Sequence, residues 1–440
     1  MNNSMLYCTL FVGTLVQESF LSVGGNDDPL TIVDSPFCRD GLGRPTLRGT
    51  GLAGALIAIL RRLDGKVSDT ISGSNKGHCS SVWRFFNSHP SSAVKYAFRQ
   101  HNAIHAQTGA AADNALFNVE TLPPGTCWHF ILEVDTARDP EAAERARKAL
   151  AHWATGRCLI GREVARGLGW MRLENLFEYP LTLDHIDHWP CAEKSQNYKA
   201  YITEQFQDIA TKVEPTKNSL PGWQEITGRV IVGERDNGYG IDSLSIGGHA
   251  SEELAAAWNN DFLAPDAMDT SKAKDGFDPD FSIVTIEQQD GTRLPYIPGS
   301  GLRGPLRHAL ARLLKARGES ETLVETLFGT TECSAKLLIC DVLPDEKSPL
   351  RLAWLQHHAE DEFAGGTFKS SKFDRVAVMQ ASFIWKMVLE DASSVEKKAL
   401  EELFDLMHDG QIGIGGSQWR GHGWLRWEID GQEIGMEETA

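Results

Sequence analysis

The feature that most constrains this chain is an ungapped internal echo. Residues 290–314 read Asp290-Gly-Thr-Arg-Leu-Pro295-Tyr-Ile-Pro298-Gly299-Ser300-Gly301-Leu302-Arg303-Gly304 and run on into Leu306, Leu310 and Leu313. Upstream stands Asp40-Gly-Leu-Gly-Arg-Pro45-Thr-Leu-Arg48-Gly49-Thr50-Gly51-Leu52-Ala53-Gly54, with Asp40, Pro45, Gly49, Gly51, Leu52 and Gly54 each 250 residues before their partners. A second pair, Ile160-Gly161 to Arg166-Gly167-Leu-Gly169-Trp170, returns as Ile414-Gly415-Gly416 to Arg420-Gly421-His-Gly423-Trp424 at an offset of 254. A third, Leu21-Ser-Val-Gly-Gly25, returns as Leu244-Ser-Ile-Gly-Gly248 at 223. Three motifs repeated in one order imply a tandem duplication. The offset grows by 27 before the helix loop, so the second copy carries an insertion between Gly248 and Phe281, a length that surface loops tolerate.

Each copy of the first motif reads as a tight turn feeding an amphipathic helix. Pro298 and Gly299 set the turn, Ser300 is the expected N-cap, and the leucines keep helical spacing while Arg303, Arg307 and Arg312 stay off their stripe. A helix start flanked by arginines suits a phosphate, although an ordinary capped helix reads the same way.

With 440 residues the chain can build two large cores. It shows no apolar run of membrane-spanning length and no basic, then apolar, secretory leader, and its eight cysteines include no Cys-x-x-Cys pair. Reduced thiols in the cytoplasm are the expectation. A formal charge of −17 argues against a non-specific nucleic-acid binder, because phosphate affinity comes mostly from Lys and Arg, but it leaves room for a local basic groove. Arginines do gather near the repeated loops (Arg39, Arg44, Arg48, Arg293, Arg303, Arg307).

Taken in order, strands are expected over 5–14, 30–33, 128–134 and 170–174, with helices over 50–63 and from Asp139-Pro140 to Trp153. Residues 191–222, with Pro215 and Pro221-Gly222, read as a junction between domains 1–190 and 223–440. The second copy is expected to have strands at 226–233, 281–286, 335–342, 381–389 and 424–429, and helices at 301–316 and 394–408. The predicted class is α+β, two tandem ferredoxin-like modules with loop insertions, helices on one face of an antiparallel sheet.

Several chemistries are disfavoured. Gln418 stands where a dinucleotide-binding Gly-x-Gly-x-x-Gly needs glycine, and His422 where a P-loop needs lysine. There is no Gly-x-Ser-x-Gly elbow. His357, His358, Asp361 and Glu362 have helical metal-site spacing without a third ligand, the pattern of a solvated face. The island Trp83-Arg84-Phe85-Phe86 reads equally as a base-stacking patch or a loop anchor. Asp34, in Asp-Ser-Pro, reads by itself as a turn cap.

Val33-Asp34-Ser35-Pro36-Phe-Cys-Arg39-Asp40, the two helix-loop motifs, Leu116-Phe117-Asn-Val-Glu120-Thr-Leu-Pro-Pro-Gly125, Leu327-Phe328-Gly329 and the Gly-rich loop closing each half together resemble the RAMP superfamily of CRISPR effector proteins. The resemblance covers nearly the whole chain, is closest to the backbone subunits of type III complexes, and in its doubled form is similar to a fused III-D subunit. It implies RNA-recognition-like domains bound along CRISPR guide RNA beside other RAMP subunits, cutting complementary target RNA with Mg²⁺ or Mn²⁺. It implies that Asp34 is both catalytic and metal-binding, and that RNA lies against Arg39, Arg48, Gly49, Thr50, Gly51, Arg166, Gly167, Gly299, Ser300, Gly301, Arg303, Arg307, Gly416, Arg420 and Gly421. At an offset of 250 the second copy presents Val284 in place of Asp34, so one cutting site is expected. Ala53 replaces Arg303 in the first motif, which leaves Arg48 to take up the phosphate there. The insertion 249–280, with Trp258, Phe262 and Phe277, is expected to wedge between guide and target. The rival expectations are a non-catalytic scaffold and a precursor-processing endonuclease built on a histidine pair.

Overall fold

The computed structural model describes residues 6–25, 34–73, 78–101, 117–188, 198–233, 243–247, 280–287, 293–358, 363, 366 and 373–430. They form two compact units, Met1–Val164 with Leu168–Trp223, and Ala165–Gly167 with Gln224–Ala440.

In the first unit the sheet runs Trp83–Phe85, Cys127–Val134, Leu6–Gln17, Trp170–Thr182, with Cys158–Leu159 beyond. Counting the four main strands in chain order, the spatial order is 2-3-1-4, and helices Gly49–Asp64 and Ala142–Trp153 make the crossovers of a ferredoxin-like βαββαβ module. The opening strand is apolar at nearly every position because both of its faces are covered. Phe11 and Leu15 meet the core under the two helices, whereas Cys8, Leu10 and Val12 pack with Ile202 and Phe206 of the segment containing helix Tyr198–Gln205. Leu52, Leu56, Ile59 and Leu60 supply the buried stripe of the first helix.

That second covering corrects the expected junction. Thr211–Lys212 pairs with the last main strand, and Val213 and Leu220 enter the main core, so residues 198–223 belong to the first unit instead of linking two. Pro140 also falls outside its helix, which starts at Ala142 after a turn closed by the Ala142 N–H on Asp139 O.

The second unit repeats the order with Leu337–Ile339, Phe373–Glu390, Trp223–Val232 and Arg426–Ile429, backed by helices Gly299–Arg317 and Ser394–His408. Ser393 and Glu396 close a capping box at the start of the latter. The strand expected over 381–389 reaches back to Phe373 because its outer half pairs with strand Arg351–His357. His357 therefore ends a strand, which removes the helical His/carboxylate face; Asp361 and Glu362 lie outside the described residues, as do strand 30–33 and the insertion 249–279. Ser300 is not an N-cap: the helix already begins at Gly299, with Pro298 before it. Among the described residues no helix is long and apolar enough to cross a membrane.

Candidate nucleic-acid interface

Asp34 stands exposed at the head of a loop that is clipped to strand Phe117–Thr121. The Ser35 N–H donates to Asn118 O at 3.2 Å, the Glu120 N–H to Ser35 O at 3.0 Å, and the Asn118 N–H to Asp34 Oδ2 at 2.8 Å. Below it, the buried Glu120 carboxylate accepts the Phe37 N–H at 2.7 Å and Arg39 Nη2 at 2.6 Å. Arg39 also donates to Phe37 O and lies 4.4 Å from the centre of the Tyr96 ring. Its hydrogen bond to Glu120 raises its pKa further, so this arginine holds the loop in shape.

From the other side the Gly-rich loop sends Arg162, whose Nη1 donates to Ser35 Oγ at 2.6 Å. A side chain on Gly24 would collide with that guanidinium, and one on Gly161, at φ +91°, would sit 2.3 Å from Ser22 O. The Leu-Ser-Val-Gly-Gly and Ile-Gly motifs thus recur together because they pack on each other. Glu163, next in the loop, pairs with His101 at 3.2 Å, and the His101 ring stacks on Phe117 at 5.1 Å. Asp34, Asn118, Phe117, His101, Glu163, Arg162 and Ser35 close a ring of contacts and chain neighbours. Sequence reasoning gave no role to Ser35, Asn118, Glu120, Arg162, His101 and Glu163; all but His101 lay in stretches it had singled out.

The other limb of the Asp34 loop leads to the helix. Arg39 bridges Pro45, and the Thr46 N–H donates to Cys38 O at 3.0 Å, so the helix start lies at the end of the hairpin that carries Asp34. Asp40 is spent in that hairpin: its Oδ1 accepts the Leu42 and Arg44 N–H groups, and the Arg44 amide draws its pKa down. Arg48, Thr50 and Gly51 are exposed, whereas Gly49 is buried against Phe85 O and its N–H is taken by Asn87 Oδ1 at 2.9 Å. The second unit repeats this with Gly299, buried against Ile339 O, its N–H on Asp341 Oδ1 at 2.8 Å. A carboxylate already at that helix start disfavours a phosphate there.

The remaining expected contacts divide by exposure. Arg307, Gly416 and Arg420 are exposed, Ser300, Gly301, Arg166 and Gly421 half-buried, and Gly167 buried. Arg420 lies 4.6 Å from the Phe373 ring centre. Arg303 departs from the expectation of a surface arginine: Phe328 comes over it, its Nη2 donates to Phe328 O, and burial lowers its pKa to about 10.

The counterpart of Asp34 is not Val284. The Phe281 N–H donates to Asp374 O at 3.1 Å, the Val376 N–H to Phe281 O at 2.9 Å, and the Asp374 N–H to Asp280 Oδ2 at 2.9 Å, the same three bonds that hold Asp34 and Ser35. Val284 takes the place of Cys38, each donating its N–H, at 2.8 Å, to the corresponding residue of the Leu-Ser-x-Gly-Gly motif, Ile246 or Val23. Asp280 is therefore the equivalent residue, 246 positions after Asp34. His357 stacks on Phe373 at 5.3 Å as His101 does on Phe117. Several positions differ: Phe281 replaces Ser35, Asp374 replaces Asn118, Val376 replaces Glu120, Gly416 replaces Arg162, and Ser417 replaces Glu163, with Glu163 and Ser417 both at positive φ.

Among the described residues no three His, Cys, Asp or Glu groups converge to hold a metal. A single exposed carboxylate such as Asp34 suits a hard cation that keeps most of its waters and is completed by a phosphate.

Residues 24–172 and 241–426 each match the family model described as the RAMP superfamily. The chain is also similar to the CRISPR system Cms endoribonuclease Csm3 of Methanocaldococcus jannaschii, 31% identical over 93 residues, which are 20% of this chain and 37% of the relative. The similarity thus spans little more than a third of that relative's length.

Proposed function

The chain belongs to the RAMP superfamily, and from that premise we propose that it is a backbone subunit of a type III CRISPR ribonucleoprotein that binds guide RNA and cuts complementary target RNA at Asp34. The observation that carries this reading is the Asp34 loop itself, a carboxylate held in the open by Asn118 above, Glu120 below and Arg162 alongside. Similarity to an endoribonuclease over part of the chain supports it.

Target RNA brings its own nucleophile. Its 2′-oxygen attacks the adjacent phosphorus, the O2′–P bond forms, the P–O5′ bond breaks, and the products are a 2′,3′-cyclic phosphate and a 5′-hydroxyl. Asp34 takes the 2′-hydroxyl proton, and water supplies one to O5′. Exposed Arg48 and the Arg162 guanidinium favour the charge gathering on the phosphate, and the clipped loop fixes the in-line geometry. A bound Mg²⁺ or Mn²⁺ would be held at Asp34 and would supply charge neutralisation at the phosphate oxygens. Sequence is read by the guide, so the protein has to grip only backbone and shape, and a basic patch on an acidic chain suffices.

The test is cleavage of a labelled complementary RNA by the assembled complex, with Mg²⁺ or Mn²⁺, containing wild-type chain or Asp34→Ala. Loss of one cut with target binding retained is the expected result; survival of every cut would make the chain a scaffold.

A further inference from the structure

We propose that the second unit carries a second cutting site, centred on Asp280. This rests on the reading of Asp34 above but not on the sequence offset that led away from it. The two loops are equivalent in their backbone bonding. Three hydrogen bonds fix the Asp34–Ser35 pair to strand Phe117–Thr121, and the same three, donor for donor, fix Asp280–Phe281 to Phe373–Val376. A loop that only needed to close could do so in many ways. Retaining an aspartate whose Oδ2 accepts the same amide N–H in both copies keeps a carboxylate at one place in the fold.

The surroundings repeat as well. A histidine stacked on phenylalanine lies beside the aspartate in each unit, His101 on Phe117 and His357 on Phe373. Each Gly-rich loop turns past the site through a residue at positive φ, Glu163 at 58° and Ser417 at 59°. The arginine is not repeated in place: Arg162 Nη1 reaches Ser35 Oγ at 2.6 Å in the first unit, whereas Gly416 stands at its position in the second, where Arg375 donates to Ser245 Oγ at 2.8 Å and lies 5.1 Å from the Phe281 ring centre. Arg420 adds exposed positive charge over Phe373.

The second site is more tightly tied than the first. Asp280 also donates its own N–H to Asp374 Oδ1 at 2.9 Å, so the two aspartates clasp each other through paired amide–carboxylate bonds, where Asn118 contributes a single backbone donor. The chemistry is that written for Asp34, with Asp280 receiving the 2′-hydroxyl proton of a second target nucleotide.

The experiment maps target-RNA cuts made by the assembled complex carrying Asp34→Ala, Asp280→Ala or both, with target binding measured alongside. Asp280→Ala is expected to slow one cut by about 100-fold or more, a different cut from that lost with Asp34→Ala. Asp280→Asn, which retains an acceptor for the Asp374 N–H, is expected to lose the same cut while leaving thermal unfolding and target binding unchanged, so a folding defect cannot imitate the result. If Asp280→Asn leaves every cut at its wild-type rate, the second site does not exist, whatever Asp34 does. If Asp34→Ala leaves every cut while Asp280→Asn removes one, the reading of the first unit falls and the second site stands.

Discussion

Removing the Glu120 side chain should unpin the Asp34 loop without touching Asp34. Glu120 is 6% exposed and carries two loads, the Phe37 N–H at 2.7 Å and Arg39 at 2.6 Å. In Glu120→Ala the buried Phe37 amide loses its partner, a cost of about 1–3 kcal/mol. Arg39 keeps 32% of its side chain in solvent, so the ion pair itself adds no more than about 1 kcal/mol. The first unit should lose roughly 1–4 kcal/mol in urea unfolding. Glu120→Gln, which still accepts from Phe37 but turns a donor toward Arg39, should lose about half as much. Hydrogen exchange gives the local reading: a 2 kcal/mol loss confined to this loop speeds exchange at the Phe37 amide by about 30-fold. The cut assigned to Asp34 should weaken with binding intact. A stability change under about 0.5 kcal/mol, with Phe37 still protected, would refute the claim that Glu120 holds the loop.

The buried His152, 3% exposed with Arg157 Nη1 at 3.0 Å from its Nδ1, makes the first unit acid-sensitive. Burial and then Arg157 push its pKa from 6.5 down to about 4, so the unfolded chain takes up the proton first. Its contribution is complete above about pH 6.5 and is lost as pH falls toward 4, about 3 kcal/mol in all, and urea midpoints of His152→Gln should be flatter across that window. At the two helix starts, Asn87→Ala and Asp341→Ala should each cost about 1 kcal/mol by freeing the Gly49 or Gly299 N–H, whereas Asp341→Asn, which keeps an acceptor, should cost a few tenths in the same unfolding assay.

The repeat was legible because its residues answer to steric demands that tolerate little substitution. Gly161 and Gly415 each lie where a Cβ would meet Ser22 O or Ser245 O at 2.3 Å, and a Cβ on Gly49 or Gly299 would meet the strand carbonyl of Phe85 or Ile339 at 2.4 Å. Alternating main-chain elements followed from periodicity, and the 2-3-1-4 sheet order matches the module expected. What escaped was set by partners distant in the chain. The helix start is capped at the Gly299 amide by Asp341, 42 residues beyond it, and not by the neighbouring Ser300. Phe328, from another helix, buries an Arg303 that the leucine stripe left outside. Asp280 escaped because the offset changes between Asp280 and the helix, from 246 to 250, and arithmetic taken from the helix landed on Val284.

In each unit the first main strand is central, and in the first unit Leu6–Gln17 pairs with Trp170–Thr182, the last main strand. As the chain emerges from the ribosome, its opening strand must wait for about 165 residues of further synthesis before its second neighbour arrives, some 10–30 s at ordinary elongation rates. During that interval Cys8, Leu10 and Val12 also lack the cover of Ile202 and Phe206. Nascent first units should therefore be the stage at which this protein most needs a holding chaperone, and chains ending at residue 190, with their four main strands paired but Thr211–Lys212 missing and one face bare, should prolong that need.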